Sequence, residues 1–142
     1  MAFDETRYAD SEDRGTVMIR AIRLYGTTDA AEALTVTAET KAWGLLHAVE
    51  WIDGTFADGV DAVISFTSSA SGVARTLLTL ENANTDAWYY PREVVHDNAG
   101  AGVTFDGTNE IYDRAVVDGI LKMVVASGGV TKAGGCIVYL VA

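Results

Sequence analysis

The side chains of this chain that could make or break bonds are few and far apart. His47 and His96 are its only histidines and Cys136 its only cysteine. With Asp97 they could in principle supply a nucleophile and its base, a pairing that must lie within hydrogen-bond reach. Yet His47 falls on an apolar strand face and His96 sits beside a turn, so a packed or hydrogen-bonded imidazole is the simpler reading of each. One cysteine and two distant histidines also lack the ligand spacing of a zinc site. Cys136 sits in an alternating apolar run, which suits a buried structural thiol, and a lone cysteine has no internal disulfide partner. The sequence predicts no catalytic residue, no cofactor and no enzyme activity.

Oxygen ligands are more plentiful. The loop DGTFADGVD gathers Asp53, Asp58 and Asp61, and a hard cation such as Ca²⁺ takes several oxygens from one loop. The bidentate glutamate of an EF-hand is missing, and two successive Asp-Gly turns explain the same residues, so the three aspartates are only weak metal candidates. Ser65, Ser68, Ser69 and Ser71 cluster without a G-x-S-x-G elbow and suit a strand end and its loop. Fourteen glycines form neither a dinucleotide fingerprint nor a phosphate-binding loop. Twenty acids allow a glycosidase pair to be drawn almost anywhere, so such a pair carries no weight.

Charge excludes more than the motifs do. Twenty acids against ten bases give a net charge of −10, which repels phosphate backbones and anionic membranes. No basic stripe with interleaved aromatics appears. No nucleic-acid or membrane partner is expected. The longest apolar run, Ile137 to Ala142, falls far short of the ~20 residues that span a bilayer. The acidic start, MAFDETRYADSEDR, lacks the basic and apolar regions of a secretory signal. The chain reads as soluble and made in the cytosol.

The elements that would position a site all read as strands. At 142 residues and 49% hydrophobic, one domain with its own core is expected. Residues 1–13 hold five acids against Arg7 and are expected to form a flexible acidic N-terminal arm, either frayed or ordered against a neighbouring subunit. Residues 14–142 form the domain. Strands are expected at 16–25, 33–37, 43–52, 60–67, 75–80 and 87–90. Trp43, Leu45, His47, Val49 and Trp51 share one face that is expected to be core, and Val60, Ala62, Ile64 and Phe66 share one side of a sharper alternation. Four Asp-Gly pairs, at 53–54, 58–59, 106–107 and 118–119, mark reversals. The run 120–125 and the run 136–141, joined by Gly128, Gly129, Gly134 and Gly135, carry a β-hairpin signature. About eight short strands fit an all-β, antiparallel β-sandwich or jelly roll.

The segment WYYPREVVHD, 88–97, is the most distinctive motif. Its aromatics and arginine are residue types that carry interface energy. A core reading and an interface reading both fit it. Trp88, Tyr89, Tyr90 and Arg92, with Phe3 and Tyr8 of the arm, are the interface candidates.

The strings GLLHAVEWIDGTFADGVDAVISFT, RTLLTL, DAWYYPREVVHDNAGAG, GILKMVVASGG and TKAGGCIVYLV resemble small structural proteins of tailed bacteriophages, over roughly 45–141. The resemblance implies a capsid decoration (cement) protein: a β-rich, non-catalytic domain bound to the major capsid protein on the outside of a head, often as a trimer. It implies a place in the virion after synthesis in the host cytoplasm. A neck, tail or tail-tip protein, such as a receptor- or carbohydrate-binding module, is the alternative.

Overall fold

A computed structural model describes residues 2–8, as backbone only, and residues 18–142. Every regular element among them is a strand: β1 (Ala2–Tyr8), β2 (Ile19–Thr27), β3 (Leu34–Thr37), β4 (Ala42–Ile52), β5 (Asp61–Ser68), β6 (Ala74–Leu80), β7 (Ala87–Tyr89), β8 (Glu93–Val94), β9 (Tyr112–Asp113), β10 (Val116–Ala126) and β11 (Ala133–Val141). Two-residue alternation of apolar and polar side chains explains why. β10 buries Val117, Leu121, Met123 and Val125 and turns Asp118, Lys122 and Val124 outward. In β5 the residues Ala62, Ile64 and Phe66 go inward, and Val60 just before it joins them, as their spacing requires.

Nine strands form one antiparallel sheet in the order β1-β2-β11-β4-β10-β5-β6, with β3 added beside β10 and β7 beside β4; β8 and β9 pair separately. The sheet branches where β4 meets β10. Val116–Gly119 of β10 pair with Leu45–Ala42 of β4, after which Lys122–Val125 pair with β3 instead. β4 in turn takes β7 as its neighbour at Val49–Trp51. One branch therefore runs β1-β2-β11-β4-β7 and the other β3-β10-β5-β6. Their apolar sides meet in one core that includes Ile22, Leu24, Val36, Trp51, Ile64, Leu121 and Val138.

Several expectations are corrected by this topology. β10 and β11 are not a hairpin: β11 lies between β2 and β4, while β10 lies between β5 and the pair β3 and β4. Both runs are apolar enough to be central strands, so each is paired along both of its edges and the connector crosses between branches. Asp118-Gly119 is no turn but the interior of β10 at the branch. The β4 face is also revised. The register against β11 shifts between Tyr139, opposite Ala48, and Leu140, opposite Leu46. His47 is the extra residue of this bulge, and a bulge flips the side-chain alternation. Leu46 is buried before it, Val49 and Trp51 after it, and Trp43 and His47 are exposed. Among the described residues eleven strands replace the expected eight or so, the additional ones being the seven-residue β1 and the two-residue β8 and β9.

Ala2–Tyr8, expected as part of an acidic arm, forms strand β1 along β2, with Phe3 opposite Leu24 and Tyr8 opposite Ile19. The remainder of that arm, and residues 9–17 as a whole, lie outside the described residues.

Candidate functional site

The aromatic run 88–90 is divided by strand alternation. Tyr89, opposite Val49 in the β4–β7 ladder, packs against the core, while Trp88 and Tyr90 are 51% and 57% exposed. Trp88 stacks on Tyr139 of β11, ring centroids 5.2 Å apart at 28°. The Tyr139 hydroxyl donates to Glu50 Oε1 at 2.9 Å, so the ring under Trp88 is held from its far end. Tyr90 meets His47 edge to face at 6.3 Å. Arg92 Nη1 donates to the carbonyls of His47 (3.1 Å) and Pro91 (2.8 Å), fixing the chain that leaves Tyr90 against the β4 bulge.

These residues border a shallow hollow of about 430 Å³ lined by Ile19, His47, Trp88, Tyr90, Tyr139 and Val141, with Arg114 at its rim. A second hollow, about 570 Å³, shares Arg114 and Val141 and continues over Trp43, Leu45 and Val116. Arg20 is buried with its guanidinium 4.8 Å from the Trp43 ring centroid, a cation–π contact in a desolvated setting. Ile19, Trp43, Trp88, Tyr90 and Val116 are all exposed large hydrophobics on this one continuous surface. Its aromatic side chains and arginine are residue types enriched at protein–protein interfaces, and Asp118 is the one acidic side chain lining the two hollows.

Of the interface candidates, Trp88, Tyr90 and Arg92 come together here and Tyr89 goes inward; the Phe3 and Tyr8 side chains lie outside the described residues. Ile19, Arg114, Val116, Tyr139 and Val141 carry no interface expectation from sequence, and Trp43, expected on the core face of its strand, is exposed here. The available signal was in β11, whose two faces are both apolar: Cys136, Val138 and Leu140 serve the core, leaving Ile137, Tyr139 and Val141 as a second apolar row on the opposite face.

The bond-making candidates are scattered. Cys136 is fully buried in β11, and burial pushes its thiol up to about 12. His47 and His96 are both exposed, the latter in the excursion beyond β8. Asp53, Asp58 and Asp61 are not gathered round one point. Asp61 Oδ1 accepts the Asn82 N–H at 3.0 Å, the Asp53 N–H donates to Asp86 Oδ1 at 2.8 Å, and Asp58 points to solvent. Among the described residues no three His, Cys, Asp or Glu side chains could hold one metal ion. Ser68 Oγ accepts the N–H groups of Ala70 and Ser71 at 3.2 and 3.3 Å, shaping the loop after β5.

Residues 93–113, which include the Gly/Asn/Asp-rich stretch 97–109, have a definite shape. The β8–β9 ladder is its stem, and isolated bridges join His96 to Gly102 and Thr104 to Glu110. At the junction Val95 N–H donates to Ile111 O, Ile111 N–H to Val103 O and Val103 N–H to Val95 O, a closed ring of three bonds at 2.8–2.9 Å. Asp97 and Asp106 cap the two lobes. Hydrogen bonds from the N–H groups of Ala101 and Ala99 hold the Asp97 carboxyl below its ordinary range, and those from Asn109 and Thr108 do the same for Asp106.

Comparison with known proteins adds nothing to this geometry: no family model, curated protein or solved structure matches the chain.

Proposed function

We propose that this chain is a non-catalytic virion structural protein that binds the outer surface of a bacteriophage capsid and stabilises it, a decoration or cement protein. The observation that carries the reading is the exposed aromatic–arginine surface around Trp88 and Tyr139, joined to the resemblance of 45–141 to phage structural proteins. The scaffold beneath it reads as a β-sandwich, one layer being β1-β2-β11-β4-β7 and the other β3-β10-β5-β6. Their shared core and the approach of the Leu34 side chain to the backbone of Gly26 support that arrangement. A protein repeated many times on a lattice needs only modest contacts per copy, because multivalency multiplies them. Its partners in this reading are the major capsid protein and further copies of itself, as a trimer; neither nucleic acid nor membrane is a partner, given the net charge of −10.

The experiment is to add the purified protein to undecorated capsids from its native phage and measure co-sedimentation, with Trp88→Ala and Tyr90→Ala as the disrupting variants. Saturable binding lost in the double variant supports the reading; no binding, or binding indifferent to both changes, defeats it. Counting copies per particle by quantitative mass spectrometry separates the alternatives. A cement protein is present in hundreds of copies, whereas a neck or tail protein is present in few.

A further inference from the structure

The two ends of the long strands carry opposite chemistry. At one end the loops 28–33, 53–60, 81–86 and 127–132 are tied together by backbone bonds: Thr28 N–H to Lys132 O (2.8 Å), Ala57 N–H to Gly128 O (2.9 Å), Gly128 N–H to Glu32 O (3.0 Å) and Ala83 N–H to Val60 O (2.8 Å). The buried Thr28 hydroxyl donates to Gly129 O at 2.5 Å and accepts the Lys132 N–H at 2.8 Å. These loops therefore present Asp29, Glu32, Asp53, Asp58, Glu81 and Asp86 together, and Lys132 is their one lysine or arginine. All but Asp53 are exposed. The crowding is felt: the carboxyl of Asp53 is raised first by burial, then by Asp86 and Asp58.

The aromatic hollows lie at the other end of the same strands. Along β4 the two poles are separated by roughly 30 Å, nine steps of a strand. Arg114 lines both hollows and Arg92 stands beside the first, whose lining has no acidic side chain and which forms the seat; Asp118 lines the second, and Arg20 beneath Trp43 is buried. One chain thus owns both halves of a complementary pair, an acidic knob and a cationic aromatic seat. They face away from each other, so they cannot meet within one copy.

We propose that a second copy of this chain docks its acidic loop end onto the aromatic–arginine surface, so that copies join head to tail. Carboxylates meeting guanidinium groups inside a rim of Trp and Tyr make charge-assisted bonds that the surrounding apolar area shields from water. The contact is heterologous, so its repetition closes into a ring or extends as a filament according to the rotation between copies. The same surface was offered above to a capsid, but the head-to-tail contact stands or falls on the isolated protein.

Sedimentation velocity over a concentration series tests it, with Arg114→Glu reversing the seat and Asp58→Arg with Glu81→Arg reversing the knob. Arg114 is half-buried and Asp58 and Glu81 are exposed, and far-UV circular dichroism with thermal melts verifies the fold; Trp88→Ala breaks the seat a second way. Wild type is expected as a multiple of its 15.1 kDa mass. Each charge-reversed protein alone associates at least about tenfold more weakly, the scale of one interfacial charge reversal. Mixing the two restores association, because the reversed seat of one then receives the reversed knob of the other. A monomeric wild type, single variants that associate as wild type does, or a mixture no stronger than its parts overturns the proposal. Capsid binding by a protein that stays monomeric would leave the decoration reading intact while removing this one.

Discussion

The indole N–H of Trp51 donates to the carbonyl of Ala83 across 2.9 Å while its ring stacks on Phe56, centroids 5.6 Å apart. One fully buried side chain at the end of β4 thereby clasps two loops, 53–60 and 81–86, that hold most of the acidic end. The hydrogen bond is what makes the position tryptophan and not merely large and apolar, since a buried indole N–H needs a partner.

Trp51→Phe keeps an aromatic ring but removes that donor and part of the volume. The Ala83 carbonyl is left unpaired in the interior, at about 1–3 kcal/mol, and the vacated space adds to it. Urea unfolding is expected to show a total loss of about 2–4 kcal/mol through a lower midpoint with an unchanged slope. A loss below about 0.5 kcal/mol, typical of an inert surface change, would contradict the clasp.

Gly119 sits where β10 changes partners, and the backbone of β5 closes in on it. A Cβ there would lie 1.8 Å from the Thr67 carbonyl oxygen and 2.7 Å from its carbon, atoms of backbone that cannot swing aside. Gly107, in the second lobe of 93–113, has φ +84° and nothing within 4 Å of a Cβ. Gly107→Ala should therefore cost only the about 1–2 kcal/mol of a left-handed alanine. Gly119→Ala should cost well more than that, or prevent folding, and equal melting temperatures for the two variants would rule out the close approach.

Much of the fold was legible because most strands bury one side. Val60 to Phe66 and Ala33 to Thr37 show period-two alternation that nothing interrupts, and the structure places them as read. The failures have local causes. His47 is an inserted residue whose bulge is decided by β11, a strand some ninety positions later, so no pattern within 43–52 could reveal the flip. Adjacency and glycines predict a hairpin at 120–141, whereas strand pairing is settled by which apolar faces the other strands leave uncovered. In the site, Trp88 and Tyr90 were visible as residue types, but Trp43, Tyr139 and Val141 join them only through sheet pairings that bring positions a hundred residues apart side by side.

Cys136 gives a direct readout of core integrity. Its thiol is fully buried with burial pushing the pKa up to about 12, and the thiolate is the reactive form. Native protein at neutral pH should leave an aromatic disulfide reagent unreacted, while protein in strong denaturant reacts with one equivalent. Labelling of the native state should proceed only through opening of β11, at a rate that rises as denaturant is added. Prompt stoichiometric reaction in buffer would show that β11 is not a central strand.

Asp53 predicts a stability change whose sign depends on pH. Its carboxyl is held above the unfolded value of 3.8, first by burial and then by the charges of Asp86 and Asp58, and its Oδ1 has no hydrogen-bond partner. The folded state thus binds a proton more readily than the unfolded chain does, so this group's contribution falls as pH rises from 3.8 through the raised folded value. At neutral pH it is a destabilising charge. Asp53→Asn keeps the shape and the backbone N–H bond to Asp86 while removing that charge, so the variant should melt at a higher temperature than wild type at pH 7. The advantage should shrink as the medium is acidified and vanish near the unfolded value, where the wild-type carboxyl is itself neutral. Asp97 and Asp106, whose lowered carboxyls withdraw stability as pH falls, act equally in both proteins and cancel from the difference. Melting curves of the pair across this range decide it: an advantage that grows on acidification would mean that Asp53 is stabilised as a charge, contrary to its surroundings.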